Sequence, residues 1–188
     1  MTLSKIGLFY GSSTCYTEFV AEKIAEKLGK DMIDVHNIAT TPIEMMQDYT
    51  LLIFGIPTWD YGELQEDWDA VWDDMENLDL TGHTVAIFGL GDQIGYPTWF
   101  QDALGYLYHK LHTMGVVVTG LWPNEGYEFS DSKGLTVDRT HFLGLALDEE
   151  NQPELTEHRL NTWLLQVKES FEAAEESYRT KEMAGKQV

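Results

Sequence analysis

Short apolar runs alternate along this chain with longer segments whose apolar residues recur every three or four positions. Ile6 to Tyr10, Leu51 to Ile56, Val85 to Leu90 and Val116 to Leu121 are β-branched or aromatic runs without polar alternation. That is the pattern of strands covered on both faces. A weaker strand is expected at Met32 to Val35. Between these runs, Val20, Ile24 and Leu28 are spaced for one helical face. So are Leu64, Trp68, Val71, Trp72 and Met75, then Phe100, Leu104, Leu107, Leu111 and Met114, and finally Leu160, Trp163, Leu164, Val167 and Phe171. The alternation predicts an α/β doubly wound domain with a five-stranded parallel sheet and helices on both faces.

Two stretches break the pattern. Between Leu121 and Phe142 the sequence is polar and turn-rich, most clearly from Trp122 to Gly134; it is too long for an ordinary connection and reads as an inserted loop with little regular structure. After Phe171 the apolar stripe is lost, so a single domain over residues 1–172 is expected, followed by a frayed or disordered tail over 173–188.

Composition narrows the function. The 188 residues include 32 Asp plus Glu against 12 Lys plus Arg, a formal charge of -20. Nucleic-acid phosphates and anionic membrane surfaces both attract Lys and Arg, so neither is an expected partner; cationic proteins are. Cys15 is the single cysteine, which excludes an intrachain disulfide and a Cys-rich metal site. The N-terminal residues lead straight into the first strand-like run, and no apolar stretch approaches the roughly 18 residues of a membrane span, so a cytoplasmic location is expected.

In an open parallel sheet, ligands bind outside the carboxyl ends of the strands. Three loops there have unusual chemistry. Gly11 to Glu18 carries the hydroxyls of Ser12, Ser13, Thr14, Tyr16 and Thr17 ahead of the first helix and contains no Lys or Arg. Hydroxyls and free amides at a helix N-terminus suit a monophosphate held by neutral donors, whereas a P-loop would need Gly-Lys-Ser/Thr. Helix capping alone would also account for Ser and Thr here. The loops Pro57 to Leu64 and Gly89 to Pro97 each set an aromatic residue, Trp59 and Tyr96, amid turn-forming residues. Two such rings could anchor their loops, or they could sandwich a planar heteroaromatic ligand.

The segments GSSTCYTE, GIPTWDYGELQEDW, FGLGDQIGYPTWFQDALG, GYEFSDSKG and FLGLALDEENQPELTEHRLNTWL closely resemble the long-chain flavodoxins of bacteria, over about Lys5 to Val167. The resemblance implies the flavodoxin-like strand order 2-1-3-4-5, with the inserted loop splitting the fifth strand and Phe142 to Ala146 resuming it. It also implies non-covalent FMN and single-electron transport without catalysis of a substrate reaction. Ser12, Ser13, Thr14, Cys15, Tyr16 and Thr17 would surround the phosphate. Pro57, Thr58 and Trp59 would lie against the inner isoalloxazine face and Tyr96 against the outer one, with Leu90, Gly91 and Asp92 reaching the pyrimidine edge through backbone groups. Asp60, Tyr61 and Gly62 would form the turn whose peptide reverses on reduction to meet flavin N5. Implied partners are basic-faced redox proteins, an NADPH-dependent flavodoxin/ferredoxin reductase on one side and reductive or radical enzymes on the other, with the carrier a monomer.

Three departures from the family pattern matter. Cys15 stands where the phosphate loop usually has Gly; if that position needs positive φ, Cys costs roughly 1 kcal/mol. A redox-sensing thiol is the other use of such a residue. Asp60-Tyr61 replaces a Gly-containing pair, so its peptide should turn over less readily and the semiquinone should be only modestly stabilised relative to the hydroquinone. Glu150 stands where some members place an Asp near the ribityl chain.

The acidic charge is also localised. Asp60, Glu63, Glu66, Asp67, Asp69, Asp73, Asp74, Glu76 and Asp79 are nine acids in a stretch without a base. On a helix beginning near Leu64 they would form one face beside the ligand loops. A solvated helix face has this look, and so does a surface that steers a basic partner. His109 and His112 lack completing metal ligands at useful spacing, and no Ser-His-Asp set can be argued. Two alternatives stand beside the carrier. An NAD(P)H-dependent FMN quinone reductase on the same fold would need an open flavin face. A receiver-type signalling module would need an acidic cluster where Gly11-Ser12-Ser13 stands.

Overall fold

The computed structural model describes residues 4–185. Strand β1 (Ile6–Tyr10) lies between β2 (Ile33–Asn37) and β3 (Leu51–Trp59), all parallel, and β3 carries a short antiparallel β4 (Glu63–Leu64) on its far end. Beyond β3 runs β5 (Thr84–Leu90). The fifth position is filled by two collinear pieces: β6 (Val117–Thr119) pairs with Thr84 to Ala86, and β9 (Leu145–Leu147) pairs with Phe88 to Leu90. The residues between them form the insertion, which contains a hairpin of β7 (Trp122–Pro123) and β8 (His141–Phe142). The strand therefore resumes at Leu145, three residues later than the sequence suggests, and Phe142 belongs to the hairpin. Gly144 makes the bend between them, where any side chain would fall onto the Ile87 carbonyl.

The apolar runs resolve into two faces through the strand period of two. Ile6, Leu8, Leu51, Ile53, Ala86 and Phe88 pack under α1 (Tyr16–Leu28) and α4 (Pro153–Gly185), against Val20, Ile24, Trp163 and Phe171. Phe9, Leu52, Phe54, Val85 and Ile87 pack on the other side with Trp68 of α2 (Glu66–Val71) and Leu104, Leu107 and Leu111 of α3 (Asp102–Thr113). Both faces being covered explains why the runs lack polar alternation. The buried indoles are satisfied: Trp68 Nε1 donates to the Gly55 carbonyl at 2.9 Å and Trp163 Nε1 to that of Gly120 at 2.8 Å.

Two helical expectations change. The stripe from Leu64 to Met75 faces the core, but the helix ends at Val71 and resumes as a 3-10 turn at Asp74–Asn77. Asp69, Asp73 and Asp74 are weak helix formers crowding like charge, and no base supports the last turn. At the other end, α4 continues unbroken past Phe171 to Gly185, beyond the point where the apolar stripe fades. The extension docks through Ala174 and Tyr178, which pack against the core, together with polar contacts. Tyr178 Oη meets Thr84 Oγ1 at 2.8 Å and donates to the Gly82 carbonyl at 2.5 Å; the buried Glu175 accepts from the Ser4 amide and pairs with Arg179. Residues 186–188 of the expected tail lie outside the described residues. Among the described residues, no helix is long and apolar enough to cross a membrane.

Candidate cofactor site

The carboxyl ends of β1, β3, β5 and β9 open onto one cavity of about 280 Å³. It is lined by Thr14, Tyr16 and Thr17 of the first loop, Pro57, Thr58, Trp59 and Asp60 of the second, Leu90, Gly91, Asp92 and Tyr96 of the third, and Glu149 and Glu150 after β9. The three loops singled out in the sequence thus converge. Ser12, Ser13, Cys15, Tyr61 and Gly62 are not in that lining.

The first loop turns into α1 at Cys15, whose φ of 67° is left-handed, so this position does take the positive φ at which a non-glycine residue is strained. The first intrahelical bond runs from Phe19 N–H to the Cys15 carbonyl, so the amides ahead of Phe19 have no partner within the helix. Ser12 Oγ is buried without a hydrogen-bond partner. A buried orphan hydroxyl beside free helix amides is a set of donors awaiting an acceptor, and with no Lys or Arg in the lining the acceptor is held by dipoles rather than by a cation. Ser13 is turned aside: its Oγ accepts from Gln65 Nε2 at 3.1 Å and donates to Glu66 Oε1 at 3.2 Å. Gln65 is buried at the start of α2 and needs that partner.

The second loop is a tight turn, closed by Gly62 N–H to the Trp59 carbonyl at 3.0 Å, with Asp60 at φ 41° and Gly62 at φ 90°. Its wall is tied to α3, since Thr58 Oγ1 accepts from the Ala103 amide at 3.1 Å. Tyr61 is 68% exposed and packs edge-on against Trp99 and Tyr96, with ring centroids 5.1 and 6.4 Å away.

The third loop is held by two carboxylates. Asp92 accepts from the Ile94 and Gly95 amides at 3.1 and 2.7 Å and from Asn151 Nδ2 at 2.8 Å. Partial burial opposes its charge, but these donors prevail and hold its carboxyl below the usual range. Asp148, fully buried, collects Gln93, Glu150 and Asn151. The Gly91 amide is engaged by the Leu147 carbonyl at 3.1 Å, so Gly91 can offer a ligand only its carbonyl, not both backbone groups. The sequence reading passed over Glu149 and Asp148; their place just after β9, at the carboxyl edge of the sheet, was the available signal.

The arrangement suits a molecule with an anionic end, held by hydroxyls and amides, and a planar aromatic end between Trp59 and Tyr96. The cavity rim is acidic, with Asp60, Asp92, Glu149 and Glu150. Eight of the nine acids from Asp60 to Asp79 are exposed and Asp67 is half-buried. Base-free in sequence, the segment gains one cation in space: Lys110 of α3 pairs with Glu76 at 3.0 Å and lies over the Trp72 ring.

Comparison with known proteins agrees with this geometry. The flavodoxin family model matches residues 8–163. Flavodoxin 2 of Escherichia coli is 53% identical over 162 residues, covering 86% of this chain and 94% of that protein. A flavodoxin of Synechococcus elongatus is 45% identical over 170 residues, covering 90% and 99%. Among solved structures, Fusobacterium nucleatum flavodoxin bound to flavin mononucleotide superposes with a TM-score of 0.85 at 31% identity, covering 90% of this chain and 99% of that one.

Proposed function

The chain belongs to the flavodoxin family, and from that premise we propose that it is a low-potential one-electron carrier using non-covalently bound FMN, not an enzyme that turns over a substrate. The observation that carries the reading is one cavity lined at once by Thr14, Tyr16 and Thr17 of the first loop and by Trp59 and Tyr96 of the other two, with the orphan Ser12 hydroxyl in the loop behind it. Ser12, Thr14, Tyr16 and Thr17 hold the phosphate, with the Cys15 turn aiming the loop amides inward and Ser13 bracing the loop from behind. Pro57, Thr58 and Trp59 form the inner wall and Tyr96 the outer. Leu90, Gly91 and Asp92 lie along the polar edge, and the Asp60-Tyr61-Gly62 turn borders the slot.

FMN supplies one-electron chemistry, passing between its one-electron and two-electron reduced states. The protein sets the potential. A phosphate dianion held without a cation, together with Asp60, Asp92, Glu149 and Glu150, disfavours further negative charge on the ring, so the fully reduced cofactor is a strong donor. Tyr61 and Tyr96 limit approach to the ring, which favours carriage over hydride transfer from a pyridine nucleotide.

The acidic face from Glu63 to Asp79 starts at the same turn. It steers basic-faced partners, a reductase that draws on NADPH and the reductive or radical enzymes that consume the electrons, and long-range steering of this kind falls with ionic strength. A cytoplasmic monomer fits this role. FMN titration of the apoprotein, followed by reduction with dithionite, tests the reading: uptake of one FMN and two separable one-electron steps are expected. A protein that takes up no FMN overturns it, and transfer from a reductase that is insensitive to salt overturns the steering.

A further inference from the structure

The insertion reaches the cofactor turn through one buried carboxylate. Asp102, in the first turn of α3, is 1% exposed. Its Oδ1 accepts from the Lys133 amide at 2.8 Å and its Oδ2 lies 3.5 Å from Lys133 Nζ. On its other side is Gly62: a Cβ there would fall 2.9 Å from Asp102 Oδ2 and 3.0 Å from Trp99 Cδ1. The turn is therefore seated directly on the carboxylate, with no side chain between them. The next residue, Ala103, donates to Thr58 Oγ1 in the cavity wall. The insertion presses on the same helix turn, since any side chain at Gly105 would fall onto the Lys133 carbonyl.

We propose that Asp102 is a positioning residue for the Asp60–Gly62 turn, through which Lys133 and the insertion hold that turn. By this route they also set the separation of the two one-electron potentials of bound FMN. The inference rests on the carrier reading for its effect on potentials, but not for the linkage itself.

The ionised form of this carboxylate is held against the pull of burial. Burial pushes its carboxyl up from the usual range; the Lys133 amide and ammonium oppose that, and Asp131 adds to it. An acid raised on folding favours the folded state below its unfolded pKa, and that contribution is lost as pH rises, so ionising Asp102 costs the folded state stability relative to its protonated form. The charged and titratable groups around it are Lys133 and Asp131 of the insertion, with Arg139 paired to Asp131, Tyr106 of its own helix bonded to Lys133, and Asp60 and Glu63 flanking Gly62 in the turn. A peptide that reverses within this turn changes its dipole beside a fixed buried charge.

The test uses full-length protein in four forms: unsubstituted, Asp102→Asn, Lys133→Met and the double variant. In the apoprotein, the Gly62 amide resonance is followed by NMR through acid pH. It should titrate with a midpoint above the usual carboxylate range, lose that titration in Asp102→Asn, and move further up in Lys133→Met. In the FMN-loaded protein, Asp102→Asn should change the ratio of the two one-electron equilibrium constants by about fivefold. The double variant should match Asp102→Asn alone, because Lys133 acts through Asp102. A Gly62 amide blind to Asp102, a ratio unchanged by Asp102→Asn, or strictly additive effects overturn the proposal. Should Asp102→Asn fail to fold, Lys133→Met, with its side chain 58% exposed, carries the same two readouts. Failure to take up FMN would refute the carrier reading, and the apoprotein titration would still decide this one.

Discussion

Asp148 Oδ2 accepts from both the backbone amide and the side-chain amide of Gln93, at 3.1 and 2.8 Å. A carboxylate at the end of the interrupted fifth strand thereby fixes the loop that carries Tyr96. Oδ1 binds the amides of Glu150 and Asn151 at 3.1 and 3.0 Å, so one buried side chain fastens two of the four cavity walls. Asp148→Asn turns an acceptor into a donor facing donors. Losing such bonds should cost about 2 kcal/mol or more, seen as a fall in apoprotein Tm of roughly 4–8 °C, and FMN affinity should fall with it by calorimetric titration.

Cys15 holds a left-handed conformation that glycine adopts without strain. Cys15→Gly should therefore raise stability by about 1 kcal/mol, or roughly 3 °C in Tm, and leave FMN binding intact. A loss of stability in a thermal melt would show that the thiol contributes contacts that outweigh the strain.

Tyr61 both restricts the backbone of its turn and anchors it against Trp99 and Tyr96. Removing the Cβ and the ring together relieves on the order of 1–2 kcal/mol of restraint. In Tyr61→Gly, potentiometric titration should show about a tenfold gain in the formation constant of the one-electron reduced form. Tyr61→Phe keeps the ring and should show little change.

Asp92 governs the acid limit of the site. Burial works against its charge, but the donors from Gly95, Asn151 and Ile94 lower its carboxyl below the ordinary value. A group depressed on folding stabilises the folded state above its unfolded pKa, and that contribution is lost as pH falls through the folded value. FMN should thus be retained at neutral pH and released progressively below about pH 4. Asp92→Asn should bind more weakly at pH 7 and show a flatter release curve by flavin fluorescence.

Particular residues show what the sequence could and could not reveal. The strands were legible because burial on both faces leaves runs such as Leu51 to Ile56 wholly apolar, and the cavity was legible because its loops combine turn residues with Trp59, Tyr96 and a cluster of hydroxyls. Asp102 and Asp148 were not, since their partners, Lys133 and Gln93, are remote in the chain and a paired buried acid looks like any surface acid. Tyr178 and Glu175 were missed for the same reason: the end of α4 docks partly through hydrogen bonds, so its apolar period fades while its packing continues. The end of α2 at Val71 was hidden because the stripe continues in register through the 3-10 turn.

The two halves of the fifth strand lie end to end along β5, so the insertion leaves and re-enters the sheet at neighbouring points, Gly120 and Gly144. Lengthening a loop between fixed, adjacent ends raises its closure entropy only logarithmically. Evolution could therefore vary this segment extensively while the sheet and the cavity stayed as they are. It is the part of the molecule where partner preference can change without the electron carrier being rebuilt, provided that the contact of Lys133 with Asp102 is kept.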